Sequence, residues 1–308
     1  MVIKAEEKEA IANYIKHFLY LLEKAVEEEC RVESIGVLYS AGVDSTLLSF
    51  LASKYAKVTA YVTGWEGNSR DIEYALRTKS NVPFEVEIVD MDEREVEEVI
   101  PTILKIINKP NPVELGVGIP FYFACKKAKE DDQKIMLCAQ GADELFGGYK
   151  KYIDCVVEEG YSALEKMMSY DLNNLPRTNL YRDRAIAELH SLHLSTPFLH
   201  EKVVEYVTTE IPIKLKVCEV ENGEFECVDK VNNKNFIRKY LLRLAAREVG
   251  VPECILNRKK KAAQYGSGAQ KILERLARKK GFKSKAKEMG RGDYVRMYIE
   301  EFFYPPSL

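Results

Sequence analysis

A chain of 308 residues with 46% apolar and 31% charged residues has the balance of a folded globular protein, built as one large domain or two ordinary ones. No apolar run approaches the roughly 18 residues needed to cross a bilayer, and the acidic, amphipathic opening MVIKAEEKEA is neither a signal nor a transit peptide. The net charge of −2 is uneven: from Ile255 to Glu300, 14 Lys and Arg face 4 Asp and Glu, so +10 there is set against −12 elsewhere.

In chain order, residues 4–29 place apolar side chains at Ile11, Tyr14, Ile15, Phe18, Leu19, Leu22 and Ala25, at helical spacing. Strands are predicted over Ser34–Tyr39, Lys57–Thr63, Phe84–Val89 and Lys134–Ala139. Helices are predicted over Ser45–Tyr55, Arg70–Ser80, Glu93–Asn108 and Phe121–Glu130. This alternation predicts an α/β fold, a twisted parallel sheet with helices on both faces, whose ligands bind at the carboxyl ends of the strands. After about Lys150 the pattern turns mostly helical, interrupted at Val217–Cys227, where Asn222-Gly223 suits a hairpin turn. The expected organisation is an N-terminal helix (1–30), an α/β core (31–150) and a helical portion (151–308) with the basic segment. Seven cysteines without a C-x-x-C read as reduced, mostly buried thiols of a cytosolic protein, with Cys218–Cys227 as a less favoured disulfide.

Two strand ends carry the chemistry. VLYSAGVDST (37–46) runs from an apolar strand through a glycine-containing loop into a helix, where free backbone N–H groups and the helix dipole attract phosphate. Ser40, Ser45 and Thr46 add hydroxyls, and Asp44 suggests a bridging Mg²⁺. Neither a Walker loop nor a dinucleotide fingerprint is present, and Asp44 and Ser45 also read simply as helix caps. LCAQGADELFGGYKKY (137–152) repeats the arrangement with the acidic pair Asp143-Glu144, so Asp44 and Asp143 would face each other at neighbouring strand ends and share Mg²⁺.

These two stretches resemble the synthetase domain of the asparagine synthetases and β-lactam synthetases. The first is similar to the pyrophosphate loop of the wider N-type ATP pyrophosphatases, an adenine nucleotide α-hydrolase-like fold. NLYRDRAIAELHSLHLSTPFL (179–199) and ILNRKKKAAQYGSG (255–268) extend the resemblance over roughly residues 30–280. It implies that ATP adenylates a carboxylate, PPi leaves, and ammonia or an amine attacks. It implies that Ser40, Gly42, Asp44 and Ser45 hold phosphates, and that Leu38, Val62, Cys138 and Ala139 surround the adenosine. Asp44 and Asp143 would bind Mg²⁺, and Lys260, Asp143 and Glu144 would be catalytic, with Lys259 and Lys261 as neighbours of the aligned lysine.

Departures from the family pattern are informative. Gln140 stands where an acidic residue is usual. No cation occurs in VELGVGIPFY, and Ser195 replaces an arginine before Pro197, so aspartate is a doubtful substrate. Ala41 replaces a common glycine, a mild change provided its φ is negative. Met1-Val2 lacks the N-terminal Cys of a glutaminase domain, so the nitrogen is expected as free ammonia, an amine, or ammonia from a separate glutaminase subunit. An RNA-modifying enzyme using the same adenylation is the alternative, drawing on the basic segment, and a non-catalytic relative is a third reading. His190, His193 and His200 read as packing or surface residues rather than zinc ligands. Trp65, Gln264 and Tyr265 read either as pocket residues or as ordinary loop side chains.

Overall fold

The computed structural model describes residues 5–65, 67–221 and 224–304. A long helix α1 (Ala5–Glu29) leads into β1 (Ser34–Leu38), α2 (Val43–Ala52), β2 (Lys57–Gly64), α3 (Arg70–Thr78), β3 (Glu85–Asp90), α4 (Glu93–Ile107), α5 (Pro112–Glu130) and β4 (Ile135–Leu137). Then follow α6 (Ala142–Phe146), α7 (Lys150–Glu159), α8 (Tyr161–Asn174), α9 (Asn179–Leu189) and β5 (His193–Ser195). The sheet order is β3-β2-β1-β4-β5 and every pairing is parallel, with Val37 opposite both Ala60 and Leu137. Both faces are covered, as a parallel sheet requires. Val37, Ala60 and Val62 pack under α1 and α2, while Tyr61, Met136 and Cys138 pack toward α5 and α9.

Three features differ from expectation. The fifth strand comes from beyond residue 150, in the half expected to be mostly helical; at three residues, His193–Ser195 is too short to show an alternation. The core likewise runs across the expected boundary, joining Ile15 and Phe18 to Leu241 and Leu256. Helix α5 starts nine residues before Phe121, at Pro112, with Asn111 capping the Val113 and Glu114 amides. Pro120 and the glycines read as breakers in sequence. In the fold the glycines serve close packing: a Cβ at Gly118 would lie 2.9 Å from Ile103 Cγ2.

Beyond β5 lie α10 (Glu201–Thr209) and a small antiparallel sheet, β6 (Val217–Val220), β7 (Asp229–Val231) and β8 (Lys234–Arg238), in the order β6-β8-β7. The expected turn at Asn222-Gly223 lies outside the described residues. The two-residue turn joining β7 to β8 is Asn232-Asn233, both at positive φ (47° and 60°), the backbone that a tight hairpin needs and that asparagine tolerates. Helices α11 (Tyr240–Glu248), α12 (Glu253–Leu256), α13 (Ala263–Gly266), α14 (Ala269–Lys279), α15 (Phe282–Glu288) and α16 (Tyr294–Phe303) complete the chain. No described helix is long and apolar enough to cross a membrane. All seven cysteines are free thiols, Cys218 and Cys227 included.

Much of the basic segment is neutralised within the fold. Arg275 and Lys279 bind Glu93, Lys280 binds Glu97, and Arg278, Arg291 and Arg296 bind acids of their own segment. This is a zipped helix face against α4 rather than a free basic stripe.

Candidate active site

The pyrophosphate-loop candidate leaves β1 at Leu38 and enters α2. Gly42 is the N-cap, extended at φ −88°, and no side chain caps the helix. The first-turn amides of α2 thus have no side-chain partner, and the capping reading of Asp44 and Ser45 is not realised. Thr46 Oγ1 donates instead to the Gly42 carbonyl at 2.8 Å, and the Ser40 amide donates to Ser45 Oγ at 3.3 Å. Ala41 has a φ of +51° and is fully buried, so the proviso of a negative φ fails. An L-residue held left-handed costs roughly 1–2 kcal/mol, and such strain gathers at functional loops.

Asp44 reaches across the crevice to Lys239, whose Nζ lies 2.5 Å from Asp44 Oδ2 and 2.6 Å from Asp143 Oδ1. Lys260 Nζ lies 2.7 Å from the other oxygen, Asp143 Oδ2. Two carboxylates from adjacent strand ends and two lysines from the far half of the chain thus form one charge cluster. Burial alone would raise the Asp143 carboxyl, but Lys239 and Lys260 hold it well below the usual carboxylate range. Burial opposes the charge on Lys260, and Asp143 with Asp44 overcomes it, holding the ammonium charged. Glu144 is buried, and desolvation together with Asp143 pushes its carboxyl up against the Tyr149 hydroxyl, which donates to it at 2.6 Å.

Close approach explains the double glycine. A Cβ at Gly148 would stand 1.8 Å from Asp143 Oδ1 and 2.4 Å from Lys239 Cε, and Gly147 has a φ of +73°. Lys239 is 1% exposed and itself left-handed at φ +58°, at the junction of β8 and α11. Arg238 beside it binds Asp229 at 2.7 Å and the Gly148 carbonyl at 2.7 Å. Arg258 binds the Ser40 carbonyl and Asp71, tying the loop to α3 and placing Lys260 two residues on. Lys259 and Lys261 are exposed, and neither is paired with Asp143 in the way Lys260 is.

The cleft above these residues measures about 790 Å³ and takes in Leu38, Ser40, Asp44, Ser45, Cys138, Ala139, Gln140, Asp143 and Lys260. Val62 does not line it: its side chain enters the core on the opposite face of β2, and its neighbours Tyr61 and Thr63 face the cleft instead. Glu144 is packed behind the cleft rather than lining it. Gln264 and Tyr265 line the cleft, whereas Trp65 lies in a separate shallow depression with Asp90 and Glu93. The three histidines go separate ways: His190 packs on Tyr122, His193 faces Glu29 and His200 faces Glu28.

Two functional candidates escaped the sequence reading. Lys239 sits in the run FIRKYLL, where a charged pair interrupts an apolar stretch, and that interruption was the available signal. Arg182 of α9 is 2% exposed, lines the cleft and binds Asp183 through Nε at 2.8 Å, while Gln140 donates to the other Asp183 oxygen. Gln140 therefore takes part in a neutral hydrogen-bonded group where an acid was expected.

The asparagine synthase family model matches residues 17–160 and 156–303, nearly the whole chain. This chain belongs to the asparagine synthase family. A family relative named putative asparagine synthetase [glutamine-hydrolyzing] 1, from Methanocaldococcus jannaschii, is 36% identical over 299 residues, covering 89% of this chain and 55% of its own. An asparagine synthetase domain-containing protein of Saccharomyces cerevisiae is 25% identical over 313 residues, covering 86% and 55%. The chain thus spans about half the length of these curated relatives. Among solved structures, NMN synthetase from Francisella tularensis is similar over 96% of this chain and 92% of its own, at 12% identity and a TM-score of 0.44.

Proposed function

We propose that this member of the asparagine synthase family is an ATP-dependent carbon–nitrogen ligase forming AMP and PPi. A substrate carboxylate oxygen attacks the α-phosphorus of ATP, the bond to the β-phosphate breaks, and PPi leaves. A nitrogen nucleophile, either an amine or ammonia (free or delivered by a separate glutaminase subunit), then attacks the acyl carbon and AMP departs. The observation that carries this reading is the cluster of Asp44, Asp143, Lys239 and Lys260 at the mouth of an uncapped α2.

Each residue has a physical role in that reaction. The α2 amides with Ser40 and Ser45 would bind the β- and γ-phosphates. Lys260 would sit on the charge that grows on the leaving PPi, where a fixed cation is worth most. Leu38, Cys138 and Ala139 would flank the adenosine. Among the described residues no group of three or more His, Cys, Asp or Glu could hold a metal, but the two aspartates suit Mg²⁺, which takes one or two carboxylates and fills its shell with phosphate and water. Asp44 Oδ1 is buried and accepts no hydrogen bond, the kind of oxygen such an ion takes up. Bound there, Mg²⁺ would neutralise polyphosphate charge.

The test is ATP–PPi exchange with ATP, Mg²⁺ and a carboxylate panel, for the wild type, Asp44→Ala and Lys260→Ala. Carboxylate-dependent exchange lost in both variants supports the reading. Exchange retained by Lys260→Ala within a factor of about 3 rejects the role given to Lys260, because removing one such electrostatic contact typically costs 100-fold or more.

A further inference from the structure

Four aspartates line the cleft, and every one is bound to a cation or donor of this chain. Asp44 is held by Lys239, Asp143 by Lys239 and Lys260, Asp71 by Arg258, and Asp183 by Arg182 and Gln140. Gln140, at the position where a carboxylate was expected, carries no charge, and its amide nitrogen is spent on Asp183. A substrate ammonium entering this cleft would lose its hydration and meet only lining carboxylates already paired within the chain, the one partnerless oxygen of Asp44 being assigned to Mg²⁺, which is a costly state.

The opposite wall is apolar. Val113, Val117, Pro120, Phe121 and Ala124 of α5 form it. Gly118 of the same helix lets the Arg182 stem lie against it, since a Cβ there would stand 3.4 Å from Arg182 Cδ. Arg182 Nη2 is buried and lies 2.7 Å from Asp183 Oδ1, the same oxygen that accepts from Nε. Nη1 keeps only a long 3.4 Å contact to Asn179 Oδ1, so it is the guanidinium donor left for a substrate carboxylate.

Resting on the adenylation reading, we infer that the acid taken here is a carboxylic acid without an ammonium group. Its apolar body lies along α5 and its carboxylate faces Arg182. Aspartate and other α-amino acids are excluded by the pairing of the cleft's own carboxylates.

The experiment is ATP–PPi exchange by the full chain with Mg²⁺ and three probe pairs that differ by the amino group: phenylalanine and 3-phenylpropanoate, leucine and 4-methylpentanoate, aspartate and succinate. Binding of ATP is measured in parallel. The expected result is exchange at least tenfold faster with the des-amino member of an apolar pair. Equal or faster exchange with the amino member overturns the inference and leaves adenylation standing. No exchange with any of the six, with ATP still bound, overturns the inference and the adenylation reading together. In Arg182→Lys, the acid concentration for half-maximal exchange should rise at least tenfold with that for ATP unchanged. An unchanged acid dependence removes Arg182 from the site.

Discussion

Replacing Lys239 by Met tests the charge cluster directly. The Nζ bridges Asp44 and Asp143 at 2.5 and 2.6 Å and is 1% exposed. Removing one partner of a buried ion pair leaves an uncompensated charge and costs about 3–5 kcal/mol. Asp143 keeps Lys260, so the lower end applies, about 3 kcal/mol. At roughly 2 °C per kcal/mol for a chain of this size, Tm should fall by about 6 °C. Asp143 is held below its ordinary 3.8, so its contribution is present above that pH and is lost as pH falls through the folded value. The deficit of the variant should therefore shrink below about pH 4. Thermal denaturation followed by circular dichroism, at several pH values and with and without Mg²⁺, reads all of this. Mg²⁺ should restore part of the lost stability, because it offers the stranded carboxylates another cation. A Tm within about 1 °C of wild type at neutral pH would refute the reasoning.

Three further outcomes are expected. Ala41→Gly should be tolerated within about 1 kcal/mol in urea denaturation, because relief of a left-handed backbone offsets the lost methyl, whereas Ala41→Val should lose more than about 2 kcal/mol; a glycine variant as damaged as the valine one would contradict the strain at this residue. Lys216 is buried and desolvation pulls its pKa down to about 8, so the folded chain binds fewer protons than the unfolded one between about 8 and 10.5 and gains stability across that range as pH rises. Lys216→Met should accordingly stabilise the protein at pH 7 by up to about 3 kcal/mol and confer no gain above pH 10.5, and a stability difference flat with pH would show that the ammonium is not desolvated. Gly148→Ala should retain its far-ultraviolet circular dichroism but lose about 100-fold in exchange, since the added methyl displaces Asp143 and Lys239 together; near-normal exchange would mean that neither position matters to the reaction.

Much of the sheet and both loops could be read from sequence because each depends on local chemistry. Apolar runs ending in glycine and carboxylate marked the carboxyl ends of β1 and β4, and the first four strands in the chain shifted by only a residue or two. The failures are non-local. Three residues at His193–Ser195 form a strand only because β4 offers an edge to pair with. Pro120 looks like a stop until the rest of α5 packs on Ile103 and Arg182 through its glycines. Lys239 and Arg182 belong to segments whose local pattern says only helix or strand. Their meaning appears when Asp44, Asp143 and Gln140 are brought to them. The family resemblance puts Val62 at the adenosine, whereas the pleat of β2 turns it to the other face.

Asp44 and its partner Lys239 are 195 residues apart in the chain, and Lys260 lies further on still. Contacts of such separation form late, after most of the chain entropy has been lost. A growing chain that has already made β1, α2 and β4 therefore carries two bare carboxylates at the mouth of α2, unpaired until the last quarter of the protein supplies Lys239 and Lys260. The completed charge cluster is thus withheld from incomplete chains, and a truncated or stalled product lacks it.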